Sequence, residues 1–507
     1  MDPSDEAFDL LITGGGINGV GIARDAAGRG LSVLLVEQDD LAQHTSSASS
    51  KLVHGGLRYL EQFAFRLVRE ALAEREVLLR LAPHLVRPLR FVLPHSPEMR
   101  PAWMIRIGLF LYDHLGGRER LPGSRQVSLS KANPWGAPLH HRFRVGFLYS
   151  DCLVDDSRLV VTNAVDAAER GAVVRTRTRL VGAVREAAGW RAELEDRERG
   201  ERTQVWARVL VNAAGPWVSE LLQHRLHIDS RSRVRLVKGS HLVLPRLYEG
   251  DHAYLLQNDD GRVVFVIPFE NDYSLVGTTD IPFSGDPARV AISSEEVDYL
   301  LRAVARYFAH PPKERDILWS YAGVRPLYDD RSRDPSAVTR DYVFDIDAGQ
   351  GQAPILSIFG GKITTYRVLA EHALTRLRAF LPGAAGSWTA RAPLPGGDMP
   401  DADFDTFLAG LEESYGWMAP ELRLRLARAY GTRLHELLEG ARGPHDLGRH
   451  FGAGLHAREV SWLVRREWAR TAEDVLWRRS KLGLRLDPRS MEALERWIRE
   501  QAAVEAS

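Results

Sequence analysis

The sequence predicts an α/β protein in three parts: a domain built on a parallel sheet, a mixed or antiparallel sheet domain inserted into it in pieces, and a helical domain at the C-terminal end. Three observations carry this reading. An apolar run breaks into a glycine-rich turn and a helix at 8–21. From Arg233 onward the chain alternates short apolar strands with turns. Beyond a proline- and glycine-rich stretch at 382–400, helical periodicity takes over.

Leu10 to Ile12 form a buried strand, and Gly14, Gly16 and Gly19 follow with the G-x-G-x-x-G spacing of a dinucleotide-binding turn. The first glycine permits the tight turn and the second lets the backbone approach a pyrophosphate. The third lets the helix pack on the strand, so that its free N–H groups face the phosphates. A second strand over 31–37 ends in Glu37, placed to bind ribose hydroxyls. Strand, glycines, helix, strand and acid together predict a Rossmann-like domain that holds a dinucleotide. A ligand-free glycine turn would need all of them to coincide by chance.

Residues 45–61 supply hydroxyls, a lysine and a glycine pair before a new helix, and make Ser46, Ser47, Ser50 and Lys51 cofactor candidates. At these residues the sequence resembles the FAD-dependent glycerol-3-phosphate dehydrogenases of the D-amino-acid-oxidase-like flavoprotein superfamily. The resemblance continues through 211–217, 236–241, 320–342, 359–367 and 472–483, which span most of the chain.

Apolar residues at helical spacing run from Leu60 to about Leu81, where Pro83 and Pro88 end them. Residues 88–150 look like an excursion from the nucleotide fold. Within them 102–112 is the most apolar segment of the chain and is flanked by arginines. It suits a helix lying in a membrane interface or, equally, a buried helix with a basic rim. A helix is expected from about 150 to 170, with strands over 172–186, 190–196 and 203–212. The last strand enters Ala213, Ala214 and Gly215, where backbone again passes close to a cofactor. Strands at 235–244, 263–268 and 273–280 suit the inserted sheet, with helix 293–308 leaning on it. A strand at 354–359 then leads into Gly360, Gly361, Lys362 and Thr364, opening a helix. Thr471 to Asp474 form a capping box. The nucleotide-binding parts are thus placed at about 1–85, 150–232 and 330–390, the inserted sheet at about 86–149 and 233–329, and the helical domain at 391–507.

The chemistry that the resemblance implies is oxidation of sn-glycerol 3-phosphate at C2 to dihydroxyacetone phosphate, with FAD as cofactor and quinone as electron acceptor. A phosphate dianion calls for arginine forks. A hydroxyl losing its proton calls for a base, and histidine is the natural one. Reduced flavin calls for a positive neighbour. Arg58, Arg325 and Arg340 lie in matched motifs and the resemblance places them with the substrate. Tyr59, beside Arg58, is a candidate aromatic wall or hydroxyl donor to the substrate, and Thr278 a candidate donor to it or a residue that only satisfies its turn. His241 is preferred over His54 as the base. Gly361, Lys362 and Thr364 are assigned to the flavin edge, and Ala214 and Gly215 to the cofactor's border. Lys362 adds charge where the reduced ring becomes anionic.

Formal net charge is zero, which points to no nucleic acid. Cys152 is the single cysteine, so no intrachain disulfide forms, and metal binding has no ligand spacing to support it. No apolar stretch reaches the ~20 residues of a membrane span, and no signal peptide is expected. The resemblance implies a cytoplasmic protein, peripheral on the cytoplasmic face of the inner membrane; a homodimer is compatible with it. Rival readings are a glycerol-3-phosphate oxidase using oxygen, an amine or amino-acid oxidase, and a nucleotide-binding module without redox activity.

Overall fold

The computed structural model describes residues 6–230, 232–329, 341–349 and 351–506. An eight-stranded sheet forms the first layer. Its order is Val343–Asp347, Ile355–Phe359, Arg202–Asn212, Glu6–Thr13, Val33–Val36 and Val173–Arg175. Pairing is parallel across the centre, with Leu10 opposite Val209 on one side and Val33 on the other. The hairpin of Thr178–Arg185 and Trp190–Asp196 joins it antiparallel through Arg202–Asn212. Successive residues point to opposite faces of a strand. Leu10 and Ile12 accordingly enter one core, where the helices Ile17–Gly28, Asp156–Glu169 and Tyr366–Leu377 contribute, while Leu11 enters the other. Both faces are covered, and the strand reads as a continuous apolar run.

A ten-stranded sheet stands beside it, almost wholly antiparallel, the exception being Ala253–Gln257 against Val86–His95. The long strand Val234–Pro245 pairs with Tyr273–Gly277 on one side and Trp319–Tyr328 on the other. Helix Ser294–Ala305 closes one face, started by a capping box between Ser293 and Glu296. Helices Phe65–Leu81 and Ala102–Leu115 close the other.

The expected helix from 150 is corrected. Residues Val145–Val154 form a strand, and the helix begins at Asp156 with Asp155 as its N-cap, accepting from the Arg158 N–H. The strand is buried along nearly its whole length, so it has no alternation to reveal it. Its one buried carboxylate, Asp151, is held by Arg75 and Tyr112, each at 2.8 Å.

The C-terminal domain has its own core, built by Phe404–Tyr415, Pro420–Tyr430, Ala457–Glu467 and Pro488–Ala506. The expected capping box is present, with Thr471 Oγ1 accepting from Asp474 N–H and Asp474 accepting from Thr471 N–H. A buried ion cluster ties this domain to the first layer. Arg478 and Arg479 donate to Asp40 at 2.6 Å each, and Arg158 pairs with Glu467.

Helix Ala102–Leu115 is not buried. Leu109 and Tyr112 face inward, whereas Trp103, Ile107 and Phe110 are 63%, 53% and 55% exposed, with Met104 and Leu111 beside them. No helix of the described residues is long and apolar enough to cross a membrane.

Candidate active site

Two confluent clefts run along the junction of the sheets. The first, about 1270 Å³, is lined by Gly14, Gly16, Glu37, Ser46, Ala214, Gly215 and Gly361 among others. The second, about 2490 Å³, shares Ile17, Thr45, Ser46, Pro326 and Gly361 with it. It is walled further by Ser50, His54, Arg58, Tyr59, His241, Thr278, Arg325, Lys362 and Thr364.

The glycine turn sits where the sequence places it. Gly14 adopts φ +115°, and a Cβ there would collide with the Ala213 carbonyl of the neighbouring strand. Gly19 lines neither cleft; it lets the helix close onto the Gly14 carbonyl. Glu37 is buried and accepts from the N–H groups of Gly15 at 2.6 Å and Asp39 at 2.9 Å. Burial pushes its carboxyl above the usual range. Ser46 Oγ accepts from the Ile17 N–H at the helix start. Asn18, not anticipated, donates to the Gly360 carbonyl at 3.1 Å, while its Oδ1 is buried without a hydrogen-bond partner among the described residues. Backbone that closes on a groove, hydroxyls, an acid at the far end and an unmatched amide oxygen suit an extended dinucleotide.

Two of the cofactor candidates lie outside both clefts. Lys51 turns away from both clefts, where its Nζ meets both carboxylate oxygens of Asp156 and the Ser47 carbonyl at 2.9–3.0 Å. Ser47 likewise bonds back to the His44 carbonyl and lines neither cleft. A buried lysine must find an acid, and its partner lies 105 residues on. The helix begins at Tyr366, so Lys362 sits in the turn that precedes it. Its Nζ lies 4.1 Å from the Tyr59 ring, at the cleft wall.

His241 is 2% exposed. Its Nε2 lies 2.9 Å from Ser50 Oγ, and its ring stacks on Tyr321 at 4.7 Å and 15°. Gly277 closes on its other side, where any Cβ would strike the ring. Burial, with Lys51 and Arg325 nearby, pulls its pKa well below the ordinary histidine value, so the ring is held neutral. Arg325 stands in the same corner, donating to the Thr279 carbonyl at 2.9 Å and paired with Asp280 at 3.3 Å. Thr278 Oγ1 is 3.4 Å from Arg325 Nη2. His54 lines the same cleft with its ring edge against Phe265. Arg58 is half-buried in the wall, and neither it nor Lys362 has a carboxylate partner among the described residues. Arg340 lies outside the described residues. Cys152 is fully buried and lines neither cleft.

The geometry thus brings together a dinucleotide groove, a neutral histidine and several cations. Sequence reading passed over Tyr321, Gly277 and Ser50's bond to His241 because all three depend on strand pairing. His241 lies opposite both Gly277 and Tyr321.

Comparison with known proteins gives the family and the fold. Residues 9–367 match the FAD dependent oxidoreductase family, and residues 387–504 match the C-terminal domain of alpha-glycerophosphate oxidase. A glycerol-3-phosphate dehydrogenase of Pseudomonas aeruginosa is 57% identical, covering 98% of this chain and 96% of its own. A D-erythritol 1-phosphate dehydrogenase of Brucella abortus is 54% identical, covering 97% and 98%. The crystal structure of a glycerol-3-phosphate dehydrogenase from Bacillus halodurans, complexed with FAD, superposes with a TM-score of 0.78 at 28% identity, over 98% of this chain and 91% of that one.

Proposed function

This chain belongs to the FAD-dependent oxidoreductases, in the branch of the glycerol-3-phosphate dehydrogenases, and we propose that it oxidises sn-glycerol 3-phosphate at C2 to dihydroxyacetone phosphate. The observation that carries the reading is the corner shared by His241 and Arg325 in the cleft that continues the dinucleotide groove. When bound, FAD supplies the acceptor for the C2 hydride. Gly14, Gly16, Glu37, Ser46, Ala214, Gly215 and Gly361 would hold it.

The remaining work falls to the chain's own side chains. Arg325 and Arg58 bind the phosphate, a dianion suited to guanidinium forks, and Thr278 donates beside them. His241 Nε2 takes the C2 hydroxyl proton, with Ser50 Oγ yielding its place to the substrate. A neutral imidazole is the form a base requires. Lys362 and Tyr59 form the wall on the Gly361 side of the cleft, where a cation stabilises negative charge developing nearby.

Quinone is the proposed final acceptor, and the protein is proposed to sit peripherally on the cytoplasmic face of the inner membrane. The supporting feature is the exposed apolar side of Ala102–Leu115, which suits insertion between headgroups far better than solvent. Phe63 and Phe65 add exposed aromatic surface.

A second substrate reading rests on the relative from Brucella abortus, named for a four-carbon polyol phosphate and similar along the whole chain. Anaerobic mixing with each compound, followed by flavin absorbance, separates the two. Faster bleaching by glycerol 3-phosphate supports the primary reading. Faster bleaching by D-erythritol 1-phosphate replaces the substrate and keeps the chemistry. No bleaching by either overturns both.

A further inference from the structure

We propose that the C-terminal domain positions His241 through a column of four aromatic rings, Trp477, Trp319, Tyr321 and His241. Trp477, on the segment Asp474–Arg479, stacks on Trp319 with ring centroids 4.4 Å apart and an interplanar angle of 25°. Trp319 and Tyr321 project from the same face of one strand, two residues apart, and their rings lie 5.2 Å apart. Tyr321 then stacks on His241 at 4.7 Å and 15°.

The column answers a question the site leaves open. A histidine that moves protons is usually oriented by a bond from its second ring nitrogen to a carbonyl or carboxylate. Here Nε2 has Ser50, but Nδ1 is buried with no hydrogen-bond partner among the described residues. Hydrogen bonding alone therefore leaves the ring free to tilt about the Ser50 contact. Stacking removes that freedom, because Tyr321 covers one face and Gly277 the other.

Each ring is itself fixed. The Tyr321 hydroxyl donates to the Ser49 carbonyl at 2.7 Å, and Lys51 Nζ stands 5.1 Å from its ring. Trp477 lies over Gly483, where a side chain would collide with the indole. The segment that bears Trp477 is held by Arg478 and Arg479 on Asp40, and by Arg177 on Asp474 at 2.6 Å. Lys481, just beyond, bonds to Ser157 and lies 3.9 Å from Asp156, the partner of Lys51. Rings and ions thus lead by separate routes from the C-terminal domain to the Ser49–Ser50–His241 corner. Trp477, Trp319 and Tyr321 are positioning residues, and none is assigned to the substrate.

The proposal rests on the reading of His241 as the proton acceptor, and its test separates the two. Holoenzyme is prepared with Trp477→Leu, Trp477→Phe, His241→Gln and the Trp477→Leu/His241→Gln pair. Flavin reduction by glycerol 3-phosphate is followed anaerobically, and the His241 ring signal is read by NMR on 13C-histidine protein, assigned by its loss in His241→Gln. Trp477→Leu is expected to slow reduction about tenfold at unchanged FAD content, a displaced base being worth up to about a hundredfold. It shifts the His241 signal, Trp477→Phe restores both, and Trp477→Leu adds nothing in the His241→Gln background. An unmoved His241 signal, or an equal further loss in that background, overturns the column's role. Normal reduction by His241→Gln overturns the proton-acceptor reading instead, and the NMR shift still decides whether the column positions the ring.

Discussion

Ser50 Oγ and His241 Nε2 lie 2.9 Å apart, joining the loop that follows the strand Val33–Val36 to the long strand Val234–Pro245 of the second sheet. The bond spans 191 residues and fixes the nitrogen that faces the substrate in the proposed mechanism. Ser50→Ala should leave that nitrogen available and slow flavin reduction by less than about tenfold. Loss of the base itself costs about 10²–10⁴. A Ser50→Ala loss as large as that of His241→Gln would make the hydroxyl an obligatory relay.

The pH profile follows from the same corner. His241 is held well below 6.5 by burial and by Lys51 and Arg325, so it is neutral, and competent as a base, at all pH values above that lowered pKa. Protonation at lower pH switches it off. The rate of flavin reduction should therefore be level from about pH 6.5 to 8, near and above the ordinary histidine value. It should fall only at lower pH. Rapid-mixing rates across pH 5–8 check this, and an acidic limb centred at or above 6.5 would contradict it.

Lys51 is predicted to serve stability and not cofactor chemistry. Its ammonium is buried against Asp156, and breaking a buried pair by removing one partner costs about 3–5 kcal/mol. Lys51→Met should lower the melting temperature by several degrees, while the protein that remains folded keeps its FAD. Differential scanning calorimetry and the flavin-to-protein absorbance ratio measure the two effects. A variant of normal stability that has lost FAD would restore the lysine to the cofactor site.

The exposed helix makes a prediction about location. Trp103→Glu with Ile107→Glu places two charges on the apolar face without touching Leu109 or Tyr112, which are buried. The wild-type protein should sediment with anionic liposomes and the double variant should stay in the supernatant, both with equal flavin reduction by soluble substrate. Equal sedimentation of the two would assign membrane contact to another surface.

Much of this was legible in the sequence where the signal is local. Gly14, Gly16, Gly19 and Glu37 carry a turn, a close approach and a terminal acid within one supersecondary unit, and the strand, turn and helix form where expected. Thr471 and Asp474 did the same for a helix start. The misreadings share a different cause. Val145–Val154 is buried on both faces, so its pattern resembles a helix entry as much as a strand. Lys51 reads as a cofactor candidate because its partner, Asp156, is remote in sequence. Tyr321, Gly277 and Trp477 gained meaning only when strand register and the docked C-terminal domain placed them around His241.

The most direct test of the account is the single-turnover reduction of FAD by glycerol 3-phosphate in wild type, His241→Gln and His54→Gln under anaerobic conditions. Rapid bleaching is expected in wild type, with a loss of about a hundredfold or more in His241→Gln and a smaller loss in His54→Gln. Near-normal bleaching in His241→Gln with collapse in His54→Gln would move the base across the cleft and contradict the mechanism proposed for this corner.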